Sequence, residues 1–303
     1  MPVLRAAAKV ATVNTWLTRS ELDRVEQHRE SADWTAGLWR DEHARLLKVT
    51  EAGEIFTDSE SAAMRCSRPF VEYDPERHFL LGMVDGRPYF TVQALADGPV
   101  APLRTVGPQL GDLEAEIAFT AVALINWHQT AKFCGYCGSR TTVIHGGFAR
   151  RCTGCDRTIF PRTDPAVIVA IVDGQNRLLL GHQRAWGEGR MSVFAGFVEA
   201  GESLEQAVHR EMAEETDLDL AAVAYLGSQP WPMPRSLMAG FAALAASTDV
   251  SVDGEEIESA QWFTPQTLVE EVKAGRVILP GKASIAHRMI LQWSRGELKF
   301  PRR

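Results

Sequence analysis

Apolar and polar positions alternate along this chain in two distinct periods. HFLLGMVDGRPYFTVQAL, residues 78–95, holds two apolar runs on either side of Asp85-Gly86. That pattern predicts a hairpin. Pro88 cannot donate to a ladder, so the second strand is expected at a sheet edge. From residue 112 the period lengthens. In DLEAEIAFTAVALINWHQT, Leu113, Ile117, Leu124 and His128 fall close to one helical face, with Asp112 as the expected N-cap. DPAVIVAIVDGQNRLLLGHQR, from residue 164, reads as two buried strands around a turn at Asp173-Gly174. A helix over 203–216 follows, its apolar stripe formed by Leu204, Ala207, Val208 and Met212. SLMAGFAALAA and SAQWFTPQTL predict further strands and turns, and SIAHRMILQWSRG a closing helix. Strands before and after a central helix imply an α/β domain with a mixed sheet. No short-period repeat or low-complexity tract interrupts the chain.

Length and composition refine this picture modestly. The 303 residues suit about two domains of roughly 150 residues each. A net charge of -7 argues against wholesale electrostatic binding to nucleic acid or anionic membrane, while leaving room for a local basic groove. No run of about 18 apolar residues is present, so no membrane span is expected. The opening MPVLRAAAKVATVNTWL is broken by Arg5, Lys9 and Asn14 and lacks a signal-peptide core, which makes a cytoplasmic location the expectation.

Four of the five cysteines form two C-x-x-C pairs, Cys134/Cys137 and Cys152/Cys155, separated by 14 residues. Redox pairs or disulfides are disfavoured without a secretory signal. The spacing predicts a zinc ribbon with all four cysteines as structural Zn2+ ligands. Gly135 and Gly154 are expected to supply positive φ in the two knuckles, with strands over 141–144 and 147–151 between them. Arg140, Arg150, Arg151 and Arg157 give the element a basic cast, taken as solvated surface in preference to an RNA contact. Cys66 has no partner in the sequence and reads as a small buried hydrophobe.

The helix over 203–216 holds a puzzle. Glu211, Glu214 and Glu215 crowd beside Arg210, where like charges repel by a few tenths of a kcal/mol per pair. Hard divalent cations prefer clustered carboxylate oxygens and offset that repulsion. From Gly196 the spacing is G-x5-E-x7-R-E-M-x-E-E, which resembles the Nudix box. Asp217 stands where the box has Gly, at a helix end that usually needs a left-handed residue, and Leu218 fills the last aliphatic position. The resemblance implies metal-dependent hydrolysis of a nucleoside diphosphate derivative, with Mg2+ or Mn2+. It makes Glu211 and Glu215 metal ligands, with Glu214 assisting. Arg210 orients the carboxylates and pairs with Glu202, Gly196 is structural, and Glu215 is a candidate base.

A second motif, SQPWPMPRS at residues 228–236, is similar to a tag of the NADH pyrophosphatase and NAD-capped RNA hydrolase group, with Met233 in place of Phe. That group has a degenerate Nudix-like N-terminal domain and a zinc ribbon before its catalytic domain. Here the corresponding domains are expected over 1–129, 130–161 and 162–303. The Nudix fold is expected to set its central helix between sheets. The likeness implies a homodimer with composite sites that cleaves NADH, NAD+ and NAD-capped RNA to nicotinamide mononucleotide plus AMP or 5′-monophosphate RNA. It makes Phe197 a nicotinamide-stacking residue, Phe160 an aromatic that reaches across the dimer, and Gln229, Trp231 and Ser236 substrate-binding positions. Glu256 resembles a distant carboxylate that completes the metal site, with Glu255 and Glu258 close enough to leave the register open. Hydrolysis of ADP-ribose, or a non-catalytic NAD- or RNA-binding module, are the alternatives.

Overall fold

A computed structural model describes residues 20–58 and 63–301, and the N-terminal stretch read for a signal peptide lies outside them. The described chain forms two compact units. The N-terminal unit runs to Thr163 and includes Pro230–Ser236; the C-terminal unit comprises Asp164–Gln229 and the chain from Leu237 onward.

The N-terminal unit begins with α1 (Ala32–Trp39), β1 (Arg45–Val49), β2 (Glu54–Phe56), β3 (Cys66–Ser67), β4 (Phe79–Val84), β5 (Arg87–Gln93), β6 (Val100–Pro102), α2 (Leu103–Val106) and α3 (Asp112–Thr130). Its sheet has the order β4-β5-β1-β2-β6, with β3 on β1. β1 and β5 run parallel while β4 and β5 form the antiparallel hairpin, so the sheet is mixed. Asp85 and Gly86 turn the hairpin at φ 49° and 78°, the left-handed geometry that an Asp-Gly pair accommodates. α3 lays Ile117, Val122, Leu124 and Ile125 against Leu47, Val49, Ile55 and Leu81 of the sheet.

Two local expectations change. β5 lies inside the sheet, not at its edge. Pro88 stands one residue before the ladder to β1 begins at Tyr89, so its missing N–H removes no donor from that ladder. The cap of α3 is Gly111, one residue earlier than expected, and the Glu114 carboxylate accepts from the Gly111 N–H at 3.2 Å. Cys66 is half-buried, and burial pushes its thiol up to about 12, which fits a packing role.

The ribbon follows as β7 (Thr141–Ile144), β8 (Ala149–Cys152) and β9 (Thr158–Ile159), paired in that order. One of its four arginines is not surface at all. Arg150 is 6% exposed. Its guanidinium donates to Thr141 Oγ1 at 2.7 Å, the Thr141 carbonyl at 2.9 Å, His128 Nδ1 at 2.9 Å and Glu76 Oε2 at 3.2 Å. Since Nδ1 accepts, Nε2 carries the His128 proton and donates to the Gly147 carbonyl at 2.8 Å. The imidazole also stacks on Phe79 with 3.8 Å between centroids.

This network predicts acid sensitivity. Burial pulls the His128 pKa down to about 3, from 6.5 when exposed, and the adjacent Arg150 charge works in the same direction. A depressed histidine contributes stability above pH 6.5 that is lost as pH falls toward 3, because the unfolded chain takes up the proton first. At pH 5 the loss is about 2 kcal/mol. Urea denaturation at pH 7.5 and pH 5 should show it, and His128→Gln, which does not titrate, should remove that share of the pH dependence.

The C-terminal unit contains β10 (Asp164–Val172), β11 (Leu178–Gln183), β12 (Phe194–Phe197), α4 (Leu204–Thr216), β13 (Leu220–Trp231), β14 (Ser236–Ala245), β15 (Ile257–Phe263), α5 (Pro265–Lys273) and α6 (Ile285–Ser294). The sheet order is β13-β14-β10-β11-β15, with β12 on β10. Alternation along β10 sorts its side chains onto two faces. Val167, Val169 and Ile171 pack with Ala207, Val208 and Met212 of α4. Ile168, Ala170 and Val172 pack with Leu268 of α5 and Met289, Ile290 and Trp293 of α6. The α/β class is as expected, but the layering is corrected: a single sheet lies between helices, in place of a helix between sheets. TPQTL also folds as helix, because the Thr264 hydroxyl caps the Thr267 N–H at 3.1 Å and Pro265 suits the first helical position. Among the described residues no helix is long and apolar enough to cross a membrane.

Candidate active site

α4 starts at a reciprocal cap. Ser203 Oγ accepts from the Gln206 N–H at 3.1 Å, and Gln206 Oε1 accepts from the Ser203 N–H at 2.8 Å. The helix ends at Asp217, which takes the left-handed conformation at φ 55° that the sequence required of it. Asp reaches that conformation at a cost of about 1 kcal/mol relative to Gly. Between these two ends the helix presents its carboxylates to the end of β12.

Gly196 lies in β12 opposite Val167 of β10. A Cβ built on Gly196 would overlap the carboxyl group of Glu211. The glycine therefore provides the space in which Glu211 rests. Gly196→Ala should push that carboxylate aside and reduce turnover by roughly tenfold to a hundredfold, because a displacement near 1 Å at a reacting centre costs that much. Steady-state kinetics with circular dichroism as a folding control checks this.

Arg210 organises the cluster. Its Nε and Nη2 donate to the two oxygens of Glu202 at 2.8 and 2.9 Å, a bidentate pair. Nη1 reaches Glu211 and Glu214, each at 3.0 Å, and Nη2 also donates to the Phe197 carbonyl at 2.9 Å. These bonds from Arg210, aided by the Glu199 N–H, hold the Glu202 carboxyl below its ordinary range. Burial raises the Glu211 carboxyl, while Arg210 opposes the rise.

Glu215 differs from its neighbours. It is 4% exposed, and its Oε2 is buried with no hydrogen-bond partner. Burial, then the charges of Glu256, Glu211, Asp253 and Glu214, push its carboxyl up to about 8. An orphaned anionic oxygen among carboxylates calls for a cation or a proton. The donor set of Glu211, Glu215 and Glu256, all carboxylate, fits a hard divalent ion. Among the described residues these oxygens are not drawn together as tightly as the cysteine sulfurs are.

Of the three acidic residues whose register was open, Glu256 is the one whose charge acts on both Glu211 and Glu215. Its Oε1 accepts from Gln183 Nε2 at 3.2 Å, whereas Glu258 lies 3.5 Å from His182 Nε2. Sequence reasoning missed Asp253. Its carboxylate accepts from the N–H groups of Ile257 at 2.9 Å, Glu256 at 3.1 Å and Glu255 at 3.3 Å, and so shapes the turn that presents Glu256. The available signal was an Asp before Gly254, a turn pairing.

The other expected substrate positions separate. Phe197 is exposed at the end of β12. Gln229 is corrected: it is 2% exposed, donates to the Ala283 carbonyl at 2.8 Å and accepts from the Ile285 N–H at 2.7 Å. Both ends of its amide thus pin the start of α6, and the side chain is not open to solvent. Phe160, exposed, and Trp231 and Ser236, half-buried, belong to the N-terminal unit. There Asn126 Nδ2 of α3 donates to the Pro232 carbonyl at 2.8 Å and the Pro234 carbonyl at 3.3 Å, which fixes the proline-rich segment.

The four ribbon cysteines converge, with every sulfur within 4.8 Å of the others. Cys134 and Cys155 sulfurs are 3.8 Å apart and those of Cys137 and Cys152 are 3.4 Å apart. Tetrahedral Zn–S bonds of ~2.3 Å require sulfur separations near 3.8 Å, so the residues fit zinc. The Tyr136 and Gly154 N–H groups donate to Cys134 and Cys152 sulfurs, each at 3.4 Å. The expected positive φ at Gly135 and Gly154 is corrected: it falls just beyond each knuckle, at Gly138 (74°) and Asp156 (56°). Gly154 serves space instead, because a Cβ there would meet the Ser139 side chain.

A box helix laid on one sheet face, with a glycine making room for its carboxylate, defines a Nudix hydrolase. Residues 162–281 match the NUDIX domain family, and residues 129–160 match the NADH pyrophosphatase zinc ribbon domain. The chain is 35% identical over 296 residues to the NAD-capped RNA hydrolase NudC of Mycobacterium bovis, covering 92% of this chain and 94% of that protein. The Mycobacterium tuberculosis NudC is 34% identical with the same coverage. Human NAD-capped RNA hydrolase NUDT12 is 40% identical over 200 residues, 62% of this chain and 43% of that protein. The chain belongs to this family of Nudix hydrolases that carry a zinc ribbon.

Proposed function

We propose that the protein hydrolyses the diphosphate bond of NADH and NAD+ and removes the NAD cap from RNA 5′ ends. The products are nicotinamide mononucleotide, in its reduced form when NADH is cleaved, and AMP or 5′-monophosphate RNA. One observation carries the reading: the buried, unpartnered Glu215 oxygen set among Glu211, Glu214 and Glu256, in a chain whose relatives are named NAD-capped RNA hydrolases. Glu211, Glu215 and Glu256 hold a divalent ion, Mg2+ or Mn2+, with Glu214 assisting. Bound there, such an ion neutralises diphosphate charge and acidifies water. Arg210 keeps the carboxylates in place through Glu202 and the Phe197 carbonyl. Glu215 is the candidate acceptor of the proton that the attacking water gives up.

The exposed Phe197 ring stacks on nicotinamide. Phe160 serves the partner's pocket in a homodimer with composite sites. The domains are a degenerate Nudix-like domain over 1–129, the ribbon over 130–161 and the catalytic domain over 162–303. Incubating NADH and NAD-capped RNA with the protein, with and without Mg2+ or Mn2+, tests the reading. Nicotinamide mononucleotide should appear only with metal, and activity should fall on dilution as the dimer seen by sedimentation dissociates. Release of nicotinamide and ADP-ribose would place the cut at the glycosidic bond and overturn it.

A further inference from the structure

The ribbon holds two large aromatic rings in water that its zinc site does not use. Tyr136, 74% exposed, sits in the first knuckle, where its own N–H is bonded to Cys134 Sγ. The Arg157 guanidinium lies 3.8 Å above the centre of its ring. Phe133, 56% exposed, lies beside the same knuckle with the Arg140 guanidinium 5.4 Å from its centre. Arg140 and the adjacent Lys132 also line a cleft of about 740 Å3, which Arg77 shares. None of Arg77, Lys132, Arg140 and Arg157 forms an ion pair among the described residues. The nearby carboxylate of Glu76 is already taken by Arg150 and by the Val143 N–H. Glu51 and Glu54 line that cleft as well, so the positive charge that matters is the guanidinium set held against the two rings, Arg140 and Arg157.

Aromatic faces alternating with unpaired guanidinium groups suit one ligand chemistry. Single-stranded nucleic acid offers unstacked bases to the rings and a phosphate chain to the cations. An acidic peptide would engage the cations but leave both rings in water. We propose that this face of the ribbon binds the single-stranded RNA that follows the NAD cap. Bases stack on Tyr136 and Phe133, and phosphates lie against Arg157, Arg140 and Lys132. The inference rests on the proposed cleavage of capped RNA, and it gives two ribbon arginines, read in the sequence as solvated surface, a partner.

The test separates RNA holding from catalysis. Binding of a fluorescent 5′-monophosphate RNA oligonucleotide is measured by anisotropy for wild type, Tyr136→Ala and Arg157→Gln. Each variant should weaken binding roughly tenfold. Arg157→Gln should also make the slope of log affinity against log salt shallower by about 0.7, the loss of one phosphate contact. With NAD-capped RNA as substrate, KM should rise by a similar factor while kcat, NADH kinetics and zinc content stay at wild-type values. Unchanged RNA affinity in both variants overturns the proposal. So does an equal fall in NADH and capped-RNA turnover with loss of the dimer on sedimentation, which would make this face a contact between chains. Wild-type protein that binds the oligonucleotide through Tyr136 but leaves capped RNA uncut would refute the cleavage reading and retain the binding face.

Discussion

Glu215→Gln is expected to lower turnover by roughly a hundredfold or more while the protein stays folded. The substitution keeps shape and hydrogen-bonding capacity and removes one negative charge. In the folded chain that charge is buried, lacks a partner for one oxygen and faces Glu256, Glu211, Asp253 and Glu214. In the metal-free protein a carboxyl raised to about 8 is largely protonated at neutral pH, and Gln resembles that neutral form, so the melting temperature without metal should hold. The substitution also takes away a ligand of the divalent ion and the candidate proton acceptor, and either loss costs about two orders of magnitude or more. NADH hydrolysis with Mg2+ or Mn2+, products separated, gives the comparison. A folded variant with near wild-type turnover would show that this helix is not the reacting site.

The second large effect concerns stability. Cys134→Ser is expected to reduce zinc content and to lower the melting temperature by about 10 °C or more, with NADH turnover below the transition affected less. A structural zinc contributes on the order of 10 kcal/mol to folding of the element that it closes. In a unit of this size each kcal/mol moves the midpoint by about 2–4 °C, so even partial loss is visible. The ribbon has little else to hold it, since β7 and β8 have four residues each and β9 two. The damage should spread through Arg150, which joins β8 to His128 on α3 and to Glu76. Metal analysis and calorimetry together decide it, and zinc-free protein with the native midpoint would contradict the assignment.

Much of the site was legible because its chemistry is local in sequence. Gly196, Glu202, Arg210, Glu211 and Glu215 lie within the end of one strand, the loop that follows and one helix, and helical geometry turns the spacing of the last three into contact. The C-x-x-C pairs are legible for the same reason. What sequence could not supply depends on distant partners. Gln229 sits in a motif read as substrate-binding, yet its amide is consumed by Ala283 and Ile285, more than fifty residues away. Arg150 looked like surface because a charged side chain usually is, and its burial follows from a histidine and a glutamate on other elements. Pro88 was misplaced because edge or interior is decided by which strands pair, a property of the sheet. Asp253-Gly254 signals a turn in the sequence, but that this turn presents Glu256 follows only from the backbone bonds that the Asp253 carboxylate accepts.

The path of the chain between its two units has a consequence for modularity. The polypeptide passes from one unit to the other after Thr163, again after Gln229, and returns after Ser236. Seven residues of the downstream half are thus folded with the upstream half, where Asn126 grips their carbonyls. Deleting everything before Asp164 would leave that segment without its anchor, so a fragment that starts there should hold residues 230–236 less firmly. Recombination between relatives meets the same constraint. A crossover near residue 164 should keep residues 230–236 in place only when the resident α3 presents a donor where Asn126 does.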